Sequence, residues 1–385
     1  MLSAWVTVST RRFPNLWPRR RLVFPAPLRA LLTAAGKLFA GRSREITNRG
    51  TALKITPVTA PHLAIVLPAA AAVLALMILV PSGGCAQTQD LKNRTIRIVV
   101  PFPPGGTADN IARLISQQAN TAGFKLIVEN RPGAGTIIGT EQVAHTLPDG
   151  TSLLIMSNSF VINTIVRAKL PYDAFTLEPT CLLASSPQAI VVHETSPYRT
   201  LKDLIEAART QPGALSFAAV GPATTQHIAG EMLKHAANVN LTYVPFTGGA
   251  PAVNALLGQH VTTVIANYNE VMEQLKAGKL RALAIASRER LKAIPDVPTF
   301  IEAGYKDFEA SAFFGVVTTA GTPKDIVSQL DAMLMTALKT PDVSAKLVAQ
   351  GLEIVGTCGE EFRAYIKRQH EKYTRAIEDA GIKVE

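Results

Sequence analysis

From residue 94 onward, short apolar runs alternate with segments in which apolar residues recur every three to four positions. The run TIRIVVP at 95–101 predicts a buried strand, and ADNIARLISQQANTAG at 108–123 predicts a helix that ends at Gly123. The same alternation continues to residue 267. Further strands are predicted at 124–130, 151–157, 187–194, 214–220, 241–246 and 261–267, and further helices at 201–209, 226–237 and 250–259.

This alternation of strands and helices decides the fold class. Repeated βαβ units predict parallel sheets with helices on both faces. A stretch rich in proline at 291–310 interrupts the rhythm. Beyond it we predict a strand at 312–323 and helices at 324–340 and 360–380, and a chain of this length favours two α/β lobes over one.

The first strand-to-helix junction, PFPPGGTADN, carries the strongest indication of a ligand. Gly105 and Gly106 lack a Cβ and let a ligand approach the backbone, and Thr107 is predicted to cap the helix that follows. The free N–H groups and dipole of a helix N-terminus suit a carboxylate or a phosphate. An ordinary βα turn explains this motif alone equally well, and a phosphate-binding P-loop would need a Gly-Lys-Ser/Thr sequence that is not there.

Three later junctions have the same small and hydroxyl-bearing residues with little charge: ENRPGAGTIIGT, AVGPATTQHIAGE and YVPFTGGAPA. In open α/β sheets ligands bind at the carboxyl ends of the strands, so we expect these junctions to meet at one crevice. The glycine spacing of the first of them misses the dinucleotide-binding pattern by one residue. It is interpreted as a turn that borders the crevice.

Catalytic constellations are not found. The chain has no G-x-S-x-G motif, and QHEKYT at 369–374 has threonine where a zinc-protease helix needs its second histidine. His227 has no acid or nucleophile near it in sequence, which favours a hydrogen bond at the helix start over a role as a base. Asp109, in a first helical turn, is interpreted as a dipole-satisfying acid or a ligand contact. The sequence therefore predicts a binding protein with no catalytic residue, cofactor or metal.

The N-terminal 86 residues differ from the rest. An apolar run at 63–80 is followed by small residues at Gly84 and Ala86, which predicts a secretory signal cut after Ala86. A lipoprotein cut before Cys85 and an uncleaved anchor are the alternatives. The Arg-rich stretch ahead of the run is interpreted as an over-extended start or a disordered leader.

The formal charge of +10 belongs to this leader. Residues 1–86 contain nine arginines, two lysines and one acid, so the other 299 residues balance 28 basic against 28 acidic side chains. A folded part without net charge argues against nucleic-acid binding as its function. It retains two cysteines, Cys181 and Cys358, which could pair in an oxidising compartment or remain two buried thiols.

Taken together, these segments resemble the Bug-type, or tripartite tricarboxylate transporter, substrate-binding proteins from about Ile96 to the C-terminus. The resemblance rests on eleven segments in the family's order: IRIVVPFPPGGTADNIAR, VENRPGAGT, LPDG, LPYD, LLASSPQAIVVH, TQHIAGE, GGAPAVNALLGQH, LKAGKLRALAIAS, IPDVPTFIEAGY, FFGVVTTAGTP and EEFRAYI.

The resemblance implies an α/β, two-lobed periplasmic-binding-protein fold. Each lobe would be a mainly parallel sheet flanked by helices, joined to the other by crossing strands and closing on the ligand by a hinge. The lobes would hold residues 94–192 with 310–385, and 193–309. It also implies a periplasmic monomer that delivers a small carboxylate to membrane transporter subunits. A ligand sensor for a membrane signalling protein is the second hypothesis, and a periplasmic enzyme the third.

The family's ligand-binding positions can be carried over residue by residue, with the first glycine loop holding one carboxylate through its N–H groups. They map onto Gly105, Gly106, Thr107, Ser157, Asn158, Thr224, Thr225, His227, Thr247 and Gly248. Phe102, Asp109 and Asn267 complete the set of predicted ligand contacts.

The chain departs from the family at two charged positions. Phe246 and Thr247 replace a common Tyr-Lys pair, and Asn267 stands where many members have an acid. The loss of both charges disfavours a zwitterionic amino acid. We therefore predict a mono- or dicarboxylate with an apolar or aromatic body.

Overall fold

The computed structural model describes residues 90–306 and 308–382. The strands of this part are β1 Thr95–Val100, β2 Lys125–Asn130, β3 Ser152–Met156, β4 Glu178–His193, β5 Ser216–Val220, β6 Thr242–Phe246, β7 Thr263–Asn267, β8 Leu280–Ile285, β9 Ser311–Thr318 and β10 Glu353–Cys358. Its α-helices are α1 Thr107–Thr121, α2 Ile137–Ala144, α3 Asn158–Val166, α4 Leu201–Thr210, α5 Thr225–Ala237, α6 Gly249–Leu257, α7 Tyr268–Lys276, α8 Lys324–Lys339, α9 Pro341–Ala349 and α10 Gly359–Asp379.

The strands pair in two groups that share β4. In the first group β2, β1 and β3 run parallel, and β9, β4 and β10 continue the sheet with antiparallel pairing. In the second group β6, β5 and β7 run parallel, and β4 and β8 are antiparallel. The parallel strands in each group are those linked by helical crossovers, as the alternating sequence pattern requires.

Strand β4 crosses from one sheet to the other. Its first part pairs with β9 as far as Pro187, and its second part, from Gln188, pairs with β7 and β8. The chain crosses back beside it, since the N–H of Gln188 donates to the carbonyl of Ala310 at 2.9 Å. The predicted two-lobed α/β architecture with crossing strands is confirmed, while the lobe boundaries stay a prediction.

Separate apolar cores cover the two sheets. One contains Ile98, Leu153 and Phe314 together with residues of α1 and α8. Another packs α4 and α5 around Phe217 and Ile265 on the second sheet. Since each sheet has its own buried core, the crevice between the sheets can carry polar side chains without interrupting either core.

Several helices begin where side-chain chemistry predicts. Thr200 and Asp203 form a complete capping box at the start of α4. Thr224 is the N-cap of α5, where its hydroxyl accepts the N–H of His227. The predicted cap at Thr107 is wrong, because Gly106 is the N-cap and Thr107 is already the first helical residue. Its hydroxyl is therefore free for other partners.

The C-terminal region contains two elements that the sequence pattern did not predict, α9 and β10. The predicted strand at 312–323 also ends earlier, at Thr318. Strand β10 brings Cys358 opposite Cys181 of β4, and the two are joined in a disulfide. The alternative left open by the sequence, paired or free thiols, is thus decided in favour of the bond.

The predicted signal, with its cut after Ala86 or at Cys85, lies outside the described residues. Within 90–306 and 308–382, no helix combines the length and the apolarity needed to cross a membrane.

Candidate ligand-binding site

The carboxyl ends of β1, β3, β5, β6 and β7 surround one cavity between the two sheets. Its volume is about 60 Å³, room for a few water molecules. The residues that line it come from both sheets and from the N-terminal turns of α1, α3, α5, α6 and α7: Phe102, Pro103, Pro104, Gly106, Thr107, Ala108, Ser157, Ser159, Val220, Thr225, Gln226, Gly248, Gly249, Ala250, Pro251, Asn267, Glu270, Ala312 and Phe314.

The structure brings more than half of the sequence-predicted site residues to this cavity. Those that line it are Phe102, Gly106, Thr107, Ser157, Thr225, Gly248 and Asn267. Thr224 and Thr247 line an adjoining groove of about 480 Å³, which shares Phe102 with the cavity. The turn at 129–140 borders that groove through Gly133 and Gly135, as interpreted from the sequence.

The hydroxyl of Thr107 is the centre of a polar cluster that joins the two sheets. It receives the side-chain N–H groups of Asn269 at 2.9 Å and of Asn267 at 3.3 Å. It lies 3.1 Å from Oε1 of Glu270, to which it can donate. Thr107 follows β1 in the first sheet and its partners follow β7 in the second, so this cluster connects the two walls of the crevice.

Several helix N-termini lie at the cavity. The N-caps of α1, α6 and α7 are Gly106, Gly248 and Asn267, and none of them makes a side-chain capping bond. Among the residues that the structure describes, no lysine or arginine lines the cavity. Backbone N–H groups with partial positive charge can therefore meet an anion there without a cationic side chain.

Asn158 lies directly behind the cavity and is completely buried. Its amide donates to the carbonyl of Ser311 at 3.1 Å and to the hydroxyl of Tyr373 at 2.7 Å. Its Oδ1 accepts the N–H of Phe313 at 2.8 Å. These bonds tie α3 to β9 and α10, and the side chain does not line the cavity.

His227 also lies away from the cavity. Its ring is 4.3 Å from the ring of Tyr243, and its Nε2 lies 3.9 Å from a carboxylate oxygen of Glu231. The hydrogen bond expected at the helix start is present through its backbone N–H and the hydroxyl of Thr224.

The sequence of residues 111–382 matches the model of the tripartite tricarboxylate transporter family receptor. The chain belongs to this receptor family. A receptor binds its ligand and does not transform it, so the prediction of a binding protein without catalytic function is confirmed.

Named relatives of the receptor include bacterial proteins of similar length. A UPF0065 protein from the tcbD-tcbE intergenic region of Pseudomonas sp. strain P51 is 36% identical over 288 residues, covering 74% of this chain and 86% of its own. Protein BugT of Bordetella pertussis is 32% identical over 295 residues, covering 76% of this chain and 90% of its own.

Solved structures of the same family superpose on the receptor. The periplasmic binding protein BugD has a TM-score of 0.72 and 34% identity, with 75% of this chain and 98% of that chain covered. Rpa4515 of R. palustris with adipate has a TM-score of 0.72 and 29% identity, with 75% and 97% covered. MatC of Rhodopseudomonas palustris with bound malate has a TM-score of 0.69 and 29% identity, with 74% and 99% covered.

In this receptor Asp109 holds the first glycine loop from behind. Its carboxylate accepts the N–H of Gly105 at 2.9 Å, Nε of Arg113 at 2.9 Å and the amide of Asn130 at 2.8 Å. Gly105 has a φ of +83°, a conformation that favours glycine, and the bond to Asp109 holds it there. Neither Gly105 nor Asp109 lines the cavity.

The protonation of Asp109 follows from these contacts. Burial would raise the pKa of its carboxyl, but the bonds from Arg113, Gly105 and Asn130 outweigh burial and hold the pKa below its usual value. The lowered pKa stabilises the folded state above the unfolded-state pKa. This contribution is lost as the pH falls through the folded-state pKa.

We expect Asp109→Asn to lower the free energy of unfolding by about 1–3 kcal/mol at pH 7, because an amide nitrogen would then face these donors. Urea unfolding of both proteins at pH 7, 5 and 3 measures the difference. The difference should begin to shrink at pH 3, which lies below the unfolded-state pKa of about 3.9, because the unfolded wild type then takes up a proton more readily than the folded protein. Asp342→Asn, in an exposed pair with Lys346 on α9, should change stability by less than about 0.5 kcal/mol. A difference at Asp109 that is unchanged at pH 3 would contradict this role.

Sequence reasoning missed several cavity residues, most notably Glu270. Ser159, Gln226, Gly249 and Phe314 also line the cavity. Glu270 is three residues beyond Asn267, in the first turn of α7. An acid in the first turn after a predicted site strand was the available signal, but it is equally typical of an ordinary helix start.

Proposed function

We propose that this protein is an exported receptor that captures a small organic carboxylate in the crevice and delivers it to membrane subunits of a tripartite tricarboxylate-type transporter. The observation that carries the proposal is that the N-termini of α1, α6 and α7, without side-chain caps, meet at one cavity. Within residues 90–306 and 308–382, no lysine or arginine lines that cavity. Such an arrangement stabilises a carboxylate through backbone N–H groups.

The rest of the cavity wall favours an apolar ligand body. Phe102, Val220, Pro251 and Phe314 line it beside the helix N-termini. A carboxylate attached to a short hydrocarbon would place its charge at the N–H groups and its chain against these side chains. The adipate and malate bound by two related proteins support a small carboxylate as the ligand class.

The two lobes are proposed to be residues 94–192 with 310–385, and residues 193–309. The cavity walls come from both, with Thr107 on one side and Asn267 on the other. Hinge opening would admit the ligand, and closure would re-form the contacts of Thr107. The predicted ligand residues that line the cavity are proposed as its direct contacts.

A thermal-shift panel tests the ligand class. Purified protein is unfolded and refolded to remove any carried-over ligand, and is then mixed with adipate, malate, citrate, nicotinate, benzoate, terephthalate, aspartate and glutamate. A ligand at 100 times its Kd should add about 2.7 kcal/mol of stability, a rise in Tm of a few degrees. We expect at least one non-amino carboxylate to give this rise, and 1,6-hexanediol, which has adipate's chain without its charge, to give none.

Two results would count against the proposal. A flat panel with well-folded protein would remove small carboxylates as the ligand class. An equal rise with the uncharged diol would show that the helix N-termini do not recognise the charge.

A further inference from the structure

Glu270 brings an acidic side chain to a cavity otherwise lined by neutral groups. It is the third residue of α7 and lines the cavity. Its Oε1 lies 3.1 Å from the Thr107 hydroxyl, whereas its Oε2 is closed off from solvent and has no hydrogen-bond partner within the described residues. A buried carboxyl oxygen without a partner is costly, which makes it a candidate for a ligand contact.

The position of Oε2 links it to the proposed carboxylate site. The carboxyl packs against Gly249, the first residue of α6, so closely that a Cβ at this position would collide with it. The N–H groups of that turn are among those proposed to meet the ligand. An oxygen of a bound carboxylate at the start of α6 would therefore lie next to Oε2.

In the part of the chain that the structure describes, the neighbours of Glu270 include no cation that could neutralise it. Thr107, Asn267 and Asn269 offer hydroxyl and amide groups, and neither β7 nor α6 has an ionisable side chain. The ionisable groups on the other elements around α7 are engaged elsewhere: Asp109 with Arg113 on α1, Glu178 with Arg363, His193 with Thr195, Arg281 with the carbonyls of 194, 196 and 198, and Glu273 with Lys276 on α7 itself.

Burial raises the pKa of Glu270, and the bonds from Thr107 and Asn267 offset that increase only in part. A neutral carboxyl has one oxygen that accepts and one O–H that donates. The Thr107 hydroxyl can donate to Oε1 of Glu270 or to Oδ1 of Asn269, whereas Oε2 has no partner within the described residues. The hydrogen of a neutral carboxyl therefore belongs on Oε2. That hydrogen needs an acceptor, and an ionised ligand carboxylate provides one.

We propose that Glu270 selects the ligand by donating a hydrogen bond from its neutral carboxyl to a carboxylate oxygen of the bound acid. The inference rests on the proposed function and adds a specificity-determining residue to it. An ionised Glu270 would instead repel that carboxylate and attract an ammonium group. A neutral Glu270 therefore favours simple carboxylates over amino acids. Affinity for the carboxylate should fall when Glu270 loses its proton.

A purely structural role for Glu270 has to be separated from this one. Glutamate at the third helical position often bonds back to the N-cap N–H, and Glu270 makes such a bond to Asn267. Glutamine serves that role equally well. Glu270→Gln therefore keeps the helix start and a donor at the cavity but cannot ionise, while Glu270→Ala removes both.

The test is calorimetric titration of the full protein and both variants with adipate and malate between pH 6 and pH 9. At pH 6 we expect Glu270→Gln to bind within about threefold of wild type and Glu270→Ala to bind at least tenfold more weakly. Wherever the wild type loses affinity as the pH rises through this range, Glu270→Gln should keep its affinity, since one proton is linked to binding in the wild type alone. Melting curves of each variant verify that it is folded, and the Gln variant decides the result if the Ala variant is not.

Three results would overturn the inference. They are wild-type affinity in a folded Glu270→Ala, a more than tenfold loss in Glu270→Gln at pH 6, and a wild-type affinity that rises relative to that of Glu270→Gln as the pH is raised. Tight binding of aspartate that Glu270→Gln abolishes would show an ionised Glu270 and leave the receptor function intact. The proposed function itself would fail differently, with no carboxylate bound by the wild type at any pH.

Discussion

Replacement of Cys181 and Cys358 together by alanine is expected to lower the free energy of unfolding by about 2–5 kcal/mol. The disulfide joins residues 177 positions apart. A crosslink over so long a loop restricts the unfolded chain strongly, and the chain-entropy model gives about 5 kcal/mol for a loop of this length. The lower end of the range allows for residual structure in the unfolded protein.

Urea unfolding of the wild type and the double variant, each with and without dithiothreitol, measures this effect. The reductant should lower the wild-type midpoint to about that of the double variant and leave the double variant unchanged. A more open unfolded state should also increase the m-value of the double variant. A midpoint that does not respond to either the reductant or the substitutions would contradict a stabilising role for the bond.

The disulfide attaches β10, a strand at the edge of the sheet, to the rest of the sheet. Among the described strands β10 pairs only with β4, and its register shifts between Ile354 and Thr357. Cys358 ends this strand and fastens it to the crossing strand β4.

The carboxyl of Asp331 lies beside the disulfide, 3.7 Å from the sulfur of Cys181. Burial of this carboxyl, together with the nearby charge of Glu178, raises the pKa of Asp331 to about 6.

The parallel cores of both sheets could be predicted from sequence because their patterns are strong. β1, β5 and β6 are short strands that are each followed by a helix, and the sequence pattern predicts both the strand and the helix of each pair. Helix α3 was missed because NSFVINTIV is mostly apolar and β-branched, which is as typical of a strand as of a helix. Strand β10 was missed because its pattern is interrupted by Gly356.

The loops of the candidate site could be predicted, but the directions of their side chains could not. Thr107, predicted as a cap, instead turns its hydroxyl toward Asn267, Asn269 and Glu270, residues 160 or more positions away. That contact exists only because two sheets meet. The first glycine loop was found because its chemistry is local, in the backbone and the helix N-terminus.

Asn158→Ala is expected to destabilise the protein by about 3–5 kcal/mol, because the variant leaves buried polar groups without partners. The carbonyl of Ser311, the hydroxyl of Tyr373 and the N–H of Phe313 all bond to this side chain, which is fully buried. The resulting loss would loosen the contact of α3 with β9 and α10. Urea unfolding monitored by circular dichroism measures the change.

Thr247→Ala is the matched control, since both residues were predicted as ligand contacts but Thr247 is exposed in the adjoining groove. We expect it to change the free energy of unfolding by less than about 0.5 kcal/mol. If Asn158→Ala were as stable as this control and bound ligand more weakly, Asn158 would be a ligand contact rather than a support behind the cavity. If Asn158→Ala is less stable but its folded molecules keep the wild-type affinity, the role of Asn158 is to hold α3 against the sheet. Ser157 and Ser159 then keep their positions at the cavity because α3 is held in place.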